Sequence, residues 1–139
     1  MIREDDTVNN APSSSELFAM ACEAAGNAYS RYSGFSVGAA LLTADGKVFT
    51  GCNVENASYS LTLCAERTAV SKAVSEGHTS FSAIAIAGGT GGNFTAPCFP
   101  CGACLQVMSE FCEGSFRIIL SDAEYTLDDL MPKRFGLEH

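Results

Sequence analysis

The amino-acid sequence predicts an α/β fold, a mixed central sheet covered by helices on both faces in three α-β-α layers. Three observations carry that expectation. Val37 to Thr43 and Lys47 to Cys52 are short apolar runs either side of Asp45-Gly46, the turn pair of a tight hairpin. Phe81 to Ala87 alternates Phe, Ala and Ile tightly enough to be a buried strand. Around these segments apolar residues recur at helical intervals, so helices and strands interleave along the chain.

From the N-terminus, residues 1–12 read as a flexible polar tail and residues 13–136 as a single domain. Ser13 and Glu16 have capping-box spacing ahead of Leu17, Met20, Ala21, Ala24, Ala25 and Ala28, which repeat on one helical face. That helix should stop between Gly26 and Arg31. The hairpin follows, and then Asn53 to Leu63, polar and loop-like. Cys64 to Val74 is alanine-rich, with Ala65, Thr68, Ala69 and Ala73 spaced for a buried helix that ends at Gly77. Gly88 to Pro100 is a loop rich in glycine and proline. Gly102 to Phe111 reads as a helix, Phe116 to Leu120 as a strand and Leu127 to Leu130 as a short closing helix. The terminal Leu137-Glu138-His139 has the composition of an added tail.

Of 139 residues, 47% are hydrophobic and 17% charged, which supplies a core and argues against disorder. Eight basic residues against sixteen acidic ones give a net charge of −8, and the basic residues never cluster. A polyanion would be repelled, so no nucleic-acid polymer is expected as partner, and any nucleic-acid chemistry should act on a small free molecule. Met1 to Ser15 lacks the apolar stretch of a secretory signal, and no run is long enough to span a bilayer. A cytoplasmic protein without membrane contact is expected. Seven cysteines, an odd number, then point to thiols and metal ligands rather than disulfides.

Two cysteine motifs carry the chemistry. Cys64-Ala65-Glu66 opens one predicted helix and Pro100-Cys101-Gly102-Ala103-Cys104 opens the next. Two cysteines three apart at a helix start can both reach one ion, and zinc takes thiolates in a tetrahedron. The unpaired amides of a helix N-terminus favour the thiolate form. Three thiolates leave one corner open, which is the catalytic rather than the structural arrangement. Glu66, two residues after the first cysteine, is placed to carry the proton of an activated water without binding the metal. A first Cys or His, then Glu, then Pro-Cys-x-x-Cys is the order found in zinc deaminases of polynucleotides. Spacing alone leaves another arrangement open: Cys98, Cys101 and Cys104 form a CxxCxxC run, in which Cys98 would close a four-cysteine structural site.

Four stretches, Tyr32-Ser33-Gly34-Phe35-Ser36-Val37-Gly38-Ala39-Ala40-Leu41, Gly51 to Tyr59, Leu63 to Ala69 and Pro100 to Cys104, resemble the small homotetrameric zinc-dependent cytidine deaminases. They occur in that family's order, and the resemblance runs from about Leu17 to Gly136. It implies the cytidine-deaminase-like three-layer fold and hydrolytic deamination of cytidine and 2′-deoxycytidine to the uridines, in pyrimidine salvage. It also implies one Zn²⁺ per subunit, held by Cys64, Cys101 and Cys104, with Glu66 as proton shuttle. By the same resemblance Asn53 and Glu55 hold the ribose hydroxyls, Phe35 packs on the pyrimidine, and the Ala65 backbone bonds the base. Tyr59 and Phe135 match positions that a neighbouring subunit contributes, and Arg67 the position that hydrogen-bonds the ligand sulfurs. Free cytidine or deoxycytidine is the expected substrate, and a homotetramer with shared sites the expected assembly.

One departure stands out: Leu105 occupies the place where the family usually has arginine. Cys22, Cys52 and Cys112 sit in apolar surroundings and read as core thiols. Gly34-Phe35-Ser36-Val37-Gly38 matches the nucleophile-elbow pattern, but it precedes a strand where that motif must follow one. Gly88 to Gly92 lacks the Gly-Lys-Ser/Thr of a phosphate loop. A related zinc deaminase acting on another aminated ring is the rival reading, and Asn53-Val54-Glu55 favours the ribose.

Overall fold

A computed structural model describes residues 11–137. Most of the expected tail over 1–12, and His139 and Glu138 of the expected terminal addition, lie outside the described residues. Helix α1, Ser14–Ala25, starts from the predicted capping box: the Ser13 hydroxyl accepts from the Glu16 amide, and the Glu16 carboxylate accepts from the Ser13 amide, both at 3.2 Å. Strands β1, Ser36–Thr43, and β2, Val48–Cys52, pair antiparallel from Gly38↔Cys52 to Leu42↔Val48. Gly46, at φ 91°, supplies the left-handed residue that the hairpin turn needs. After one 3₁₀ turn at Tyr59–Leu61 come helix α2, Ala65–Ser75, and strand β3, Phe81–Gly89. Helix α3, Gly102–Phe111, leads to strands β4, Arg117–Ile119, and β5, Glu124–Thr126, and to helix α4, Leu127–Leu130.

The five strands form one sheet in the order β2-β1-β3-β4-β5. Only β3 and β4 run parallel, joined across α3, so the sheet is mixed as expected. Strand alternation divides the core. Leu41, Ile84, Ile86 and Ile118 point to the face covered by α2, α3 and α4, where Ala69, Met108 and Leu127 meet them. Ala40, Ala83, Ala85 and Ala87 point to the opposite face, against Leu17 and Ala21 of α1.

Small residues let the helices approach closely. A Cβ on Gly38 would lie 2.0 Å from the Ala21 carbonyl oxygen, so glycine is what seats α1 on β1. A Cβ on Gly51 would lie 2.6 Å from both the Ala65 carbonyl oxygen and the Ala69 amide nitrogen. That contact sets the start of α2, and with it Ala65 and Glu66, against β2. Each fully buried Leu or Ile of the sheet contributes about 1.5–3 kcal/mol, so the strands below the site are its rigid base.

Three details differ from the sequence expectation. Strand β5 was unexpected; it spans only three residues, too few for alternation to show, and pairs from Arg117↔Thr126 to Ile119↔Glu124. Its edge is fastened by Arg117 Nη2, 2.8 Å from Glu124 Oε1. The segment Asn53 to Leu63, expected as loop, contains the 3₁₀ turn and is stapled by Val54 and Leu63, which exchange backbone hydrogen bonds at 2.9 Å. Of the three expected core thiols, Cys22 and Cys112 pack half-buried against the core, and Cys52 is half-buried outside both core clusters. No helix among the described residues is long and apolar enough to cross a membrane.

Candidate active site

Two helix N-termini build the site. Cys64 caps α2 and Cys101 caps α3, each in extended backbone, and each helix then presents its first free amides. Cys104, one turn into α3, is fully buried beside them. The three sulfurs lie within 4.8 Å of one another, with Cys64 to Cys101 at 4.0 Å and Cys101 to Cys104 at 3.6 Å. Bonds of about 2.3 Å to a tetrahedral zinc would set sulfurs roughly 3.8 Å apart. The two measured spacings lie close to that value, so the set fits zinc, and its soft thiolates match that metal.

Electrostatics sort the thiols. Burial opposes ionisation of Cys101, but the adjacent α3 amides and neighbouring sulfurs outweigh it and hold this thiol below its ordinary value. Burial, reinforced by the nearby Glu66 charge, pushes Cys104 up. Arg67 Nη2 donates to Cys64 Sγ at 3.3 Å, and that bond raises the guanidinium's proton affinity. Arg67 Nε is buried without a hydrogen-bond partner among the described residues. Arg67 thus reaches the sulfur of Cys64.

Glu66 follows in the first turn of α2, only 5% exposed and beside the Cys104 sulfur. Burial pushes its carboxyl above the ordinary range, against smaller opposing contributions from its own amide, Cys104 and Arg67. Burial of this kind brings a carboxyl toward the neutral pH at which proton exchange is most effective. Ala65, fully buried, carries the first amide of α2.

Asn53 ends the hairpin. Its Oδ1 accepts from the Val37 amide and its Nδ2 donates to the Phe35 carbonyl, both at 2.9 Å. One amide hydrogen and one lone pair remain for a ligand. Glu55 Oε1 accepts from the amides of Tyr32 and Ser33 at 2.9 and 3.1 Å, and its Oε2 from the Ser33 hydroxyl. The Ser33 hydroxyl leads the contacts that hold this carboxyl below its usual range, so it stays ionised and acceptor-only. Phe35 is 40% exposed, its carbonyl taken by Asn53 and its amide donating to the Ser33 hydroxyl at 3.0 Å. A cleft of about 360 Å³ lined by Tyr32, Ser33, Glu55, Asn56, Tyr59 and Thr62 opens on the Glu55 side. Tyr59 and Phe135 are 78% and 70% exposed.

Residues 12–119 match the family model described as the cytidine and deoxycytidylate deaminase zinc-binding region. The chain belongs to this deaminase family. The cytidine deaminase of Sporosarcina psychrophila is 48% identical over 128 residues, covering 88% of this chain and 91% of the relative. That of Mycobacterium tuberculosis strain H37Rv is 45% identical over 118 residues, 85% of this chain and 86% of the relative. Among solved structures, cytidine deaminase from Burkholderia pseudomallei aligns with a TM-score of 0.81 at 44% identity, over 89% of this chain and 100% of that one.

Within this deaminase chain, the geometry places two residues on which the sequence left the reading open. Cys98 lies outside the three-sulfur group; half-buried, it packs on the core, and burial pushes its thiol up to about 11. The four-cysteine arrangement therefore does not form. Leu105 is buried on the inner face of α3, part of the main core cluster. Ser33 and Gln106, which sequence reasoning did not single out, each bond one of the candidate residues. Ser33 fixes Glu55, and Gln106 Nε2 donates to the Phe135 carbonyl at 3.2 Å. Ser33 lies inside a family motif, yet a serine in a loop carries no signal of whom it will bond.

Proposed function

We propose that the protein catalyses the hydrolytic deamination of cytidine and 2′-deoxycytidine to uridine and 2′-deoxyuridine, with release of ammonia. The observation that carries this reading is the three-sulfur cluster with a buried carboxylate at its side, in a chain of the deaminase family. Cys64, Cys101 and Cys104 hold one zinc per subunit through Sγ. When bound, the metal supplies the Lewis acidity that makes water nucleophilic at neutral pH.

Glu66 moves the protons. Its carboxylate takes one proton from the attacking water and delivers it to N3 of the cytosine ring as oxygen adds to C4. It then passes the second proton to the amino group, the C4–N bond breaks, and ammonia leaves. Each proton taken is returned, so Glu66 ends as it began. Arg67 offsets charge on the ligand sulfurs, countering the surplus of three thiolates over one divalent ion.

The remaining residues bind and orient. The Ala65 backbone hydrogen-bonds the base and Phe35 packs on its face. Asn53, with its spare donor and acceptor, and the ionised Glu55 take the ribose hydroxyls. Tyr59 and Phe135 complete the site of a neighbouring subunit in a homotetramer, a role supported by their exposure and by the open cleft at Glu55. A small domain encloses a nucleoside more fully with a neighbour's help, and enclosure excludes water. The setting is cytoplasmic pyrimidine salvage. Ultraviolet absorbance on mixing zinc-loaded protein with cytidine tests the reading, with adenosine and cytosine as controls. Conversion of cytidine and deoxycytidine is the expected result; silence with both, zinc being bound, would overturn it.

A further inference from the structure

We propose that Gly88 and Cys98 are positioning residues for the Phe35 ring, and through it set how tightly the protein holds its pyrimidine. The inference rests on the reading that Phe35 packs on the base. Phe35 is 40% exposed and borders a cleft of about 300 Å³ shared with Gly88, Gly89, Thr90, Asn93 and Pro97. A ring with open space on one side keeps a single orientation only where another group packs against it. That group is at the end of β3. A Cβ on Gly88 would lie 3.0 Å from Phe35 Cε1, 2.6 Å from Cys98 Sγ and 3.0 Å from Cys98 Cβ. Ring and thiol therefore press on the same bare backbone position.

Gly88 is not among the positive-φ glycines, so close approach rather than backbone conformation demands glycine there. Its register partner is Val37, two residues after Phe35, so ladder pairing fixes the strand end that carries the ring against the one that supports it. Cys98 then has a task that the metal cluster does not give it. It packs on the same bare face of Gly88 as the ring, and the loop from Gly89 to Pro100 carries it there.

The test is steady-state kinetics on cytidine, with zinc content, for Phe35→Leu, Gly88→Ala, Cys98→Ala and the Gly88→Ala/Cys98→Ala double variant. Phe35→Leu reports on the underlying reading, and a raised KM is expected. Gly88→Ala inserts a methyl group against the ring and should raise KM about tenfold while kcat changes less than about threefold, because a stacking contact is felt equally before and in the transition state. Removing the thiol frees space for that methyl, so the double variant should recover most of the lost KM, a non-additivity that marks a shared contact. Zinc should stay at one per subunit throughout. Should Gly88→Ala fail to fold, Cys98→Ala against Cys98→Val decides: alanine raises KM about threefold and the space-filling valine restores it.

An unchanged KM in Gly88→Ala, with KM raised in Phe35→Leu, would overturn the proposal alone. An unchanged KM in Phe35→Leu would overturn the stacking reading and the proposal with it. Loss of zinc in Cys98→Ala would assign the thiol to the metal and also overturn it.

Discussion

Replacing Arg67 with alanine removes the guanidinium that reaches the Cys64 sulfur at 3.3 Å. Opposite unit charges that far apart attract by about 5 kcal/mol at an effective dielectric of about 20. Water reclaims most of this, leaving about 1.5–3 kcal/mol for a hydrogen bond to a charged group. That range corresponds to roughly a ten- to hundredfold change in affinity, the size seen when a partner of a metal ligand is lost. Arg67→Ala should therefore weaken zinc binding about ten- to hundredfold, measured by competition with a chelator of known affinity. Arg67→Lys should fall between, since it keeps the charge and loses the planar fork. Zinc affinity within about twofold of wild type in Arg67→Ala would refute the charge-balancing role.

Burial raises the Glu66 carboxyl, so the folded chain binds that proton more tightly than the unfolded chain. The cost of ionising Glu66 is absent below the unfolded carboxyl's value, grows as pH rises toward the folded one, and is full above it. Glu66→Gln should thus stabilise the zinc-stripped protein at pH 8 by about 1–3 kcal/mol, with the difference vanishing toward about pH 4; denaturant unfolding across pH reads this, and a constant difference would contradict it. Gly51→Ala drives a methyl group to 2.6 Å from the Ala65 carbonyl. It should cost about 1–3 kcal/mol in thermal unfolding and cut kcat by tenfold or more, on the order expected for a displaced catalytic turn; unchanged turnover would separate β2 from the placement of α2. If sites are shared between subunits, mixing unfolded and refolded Glu66→Gln with Phe135→Ala should restore activity that neither has alone, and no recovery would count against sharing.

The capping box, the hairpin and the cysteine-bearing helices could all be read from sequence, because each rests on neighbours along the chain. Ser13 finds Glu16 three residues on, Gly46 sits where the turn needs it, and Cys101 and Cys104 share one helical turn. The three-cysteine cluster was legible for a chemical reason: few residue types bind zinc, and their spacing is constrained by the helix. Contacts between distant segments left no such trace. Strand β5 is defined by pairing with β4 rather than by its own three residues. Gly51 and Gly88 are needed for what approaches them from α2 and from the Cys98 loop, which a glycine's place in sequence does not reveal. Ser33 holds Glu55 across 22 residues, and only folding brings the two together.

The account turns on Glu66 as the proton carrier beside a three-cysteine metal. Glu66→Gln keeps the shape of the side chain and removes its basicity, so the decisive measurement is cytidine turnover by the zinc-loaded variant, with metal content determined on the same sample. One zinc per subunit with turnover lowered about a hundredfold or more is the predicted result. Full activity in a zinc-replete Glu66→Gln protein would contradict the mechanism.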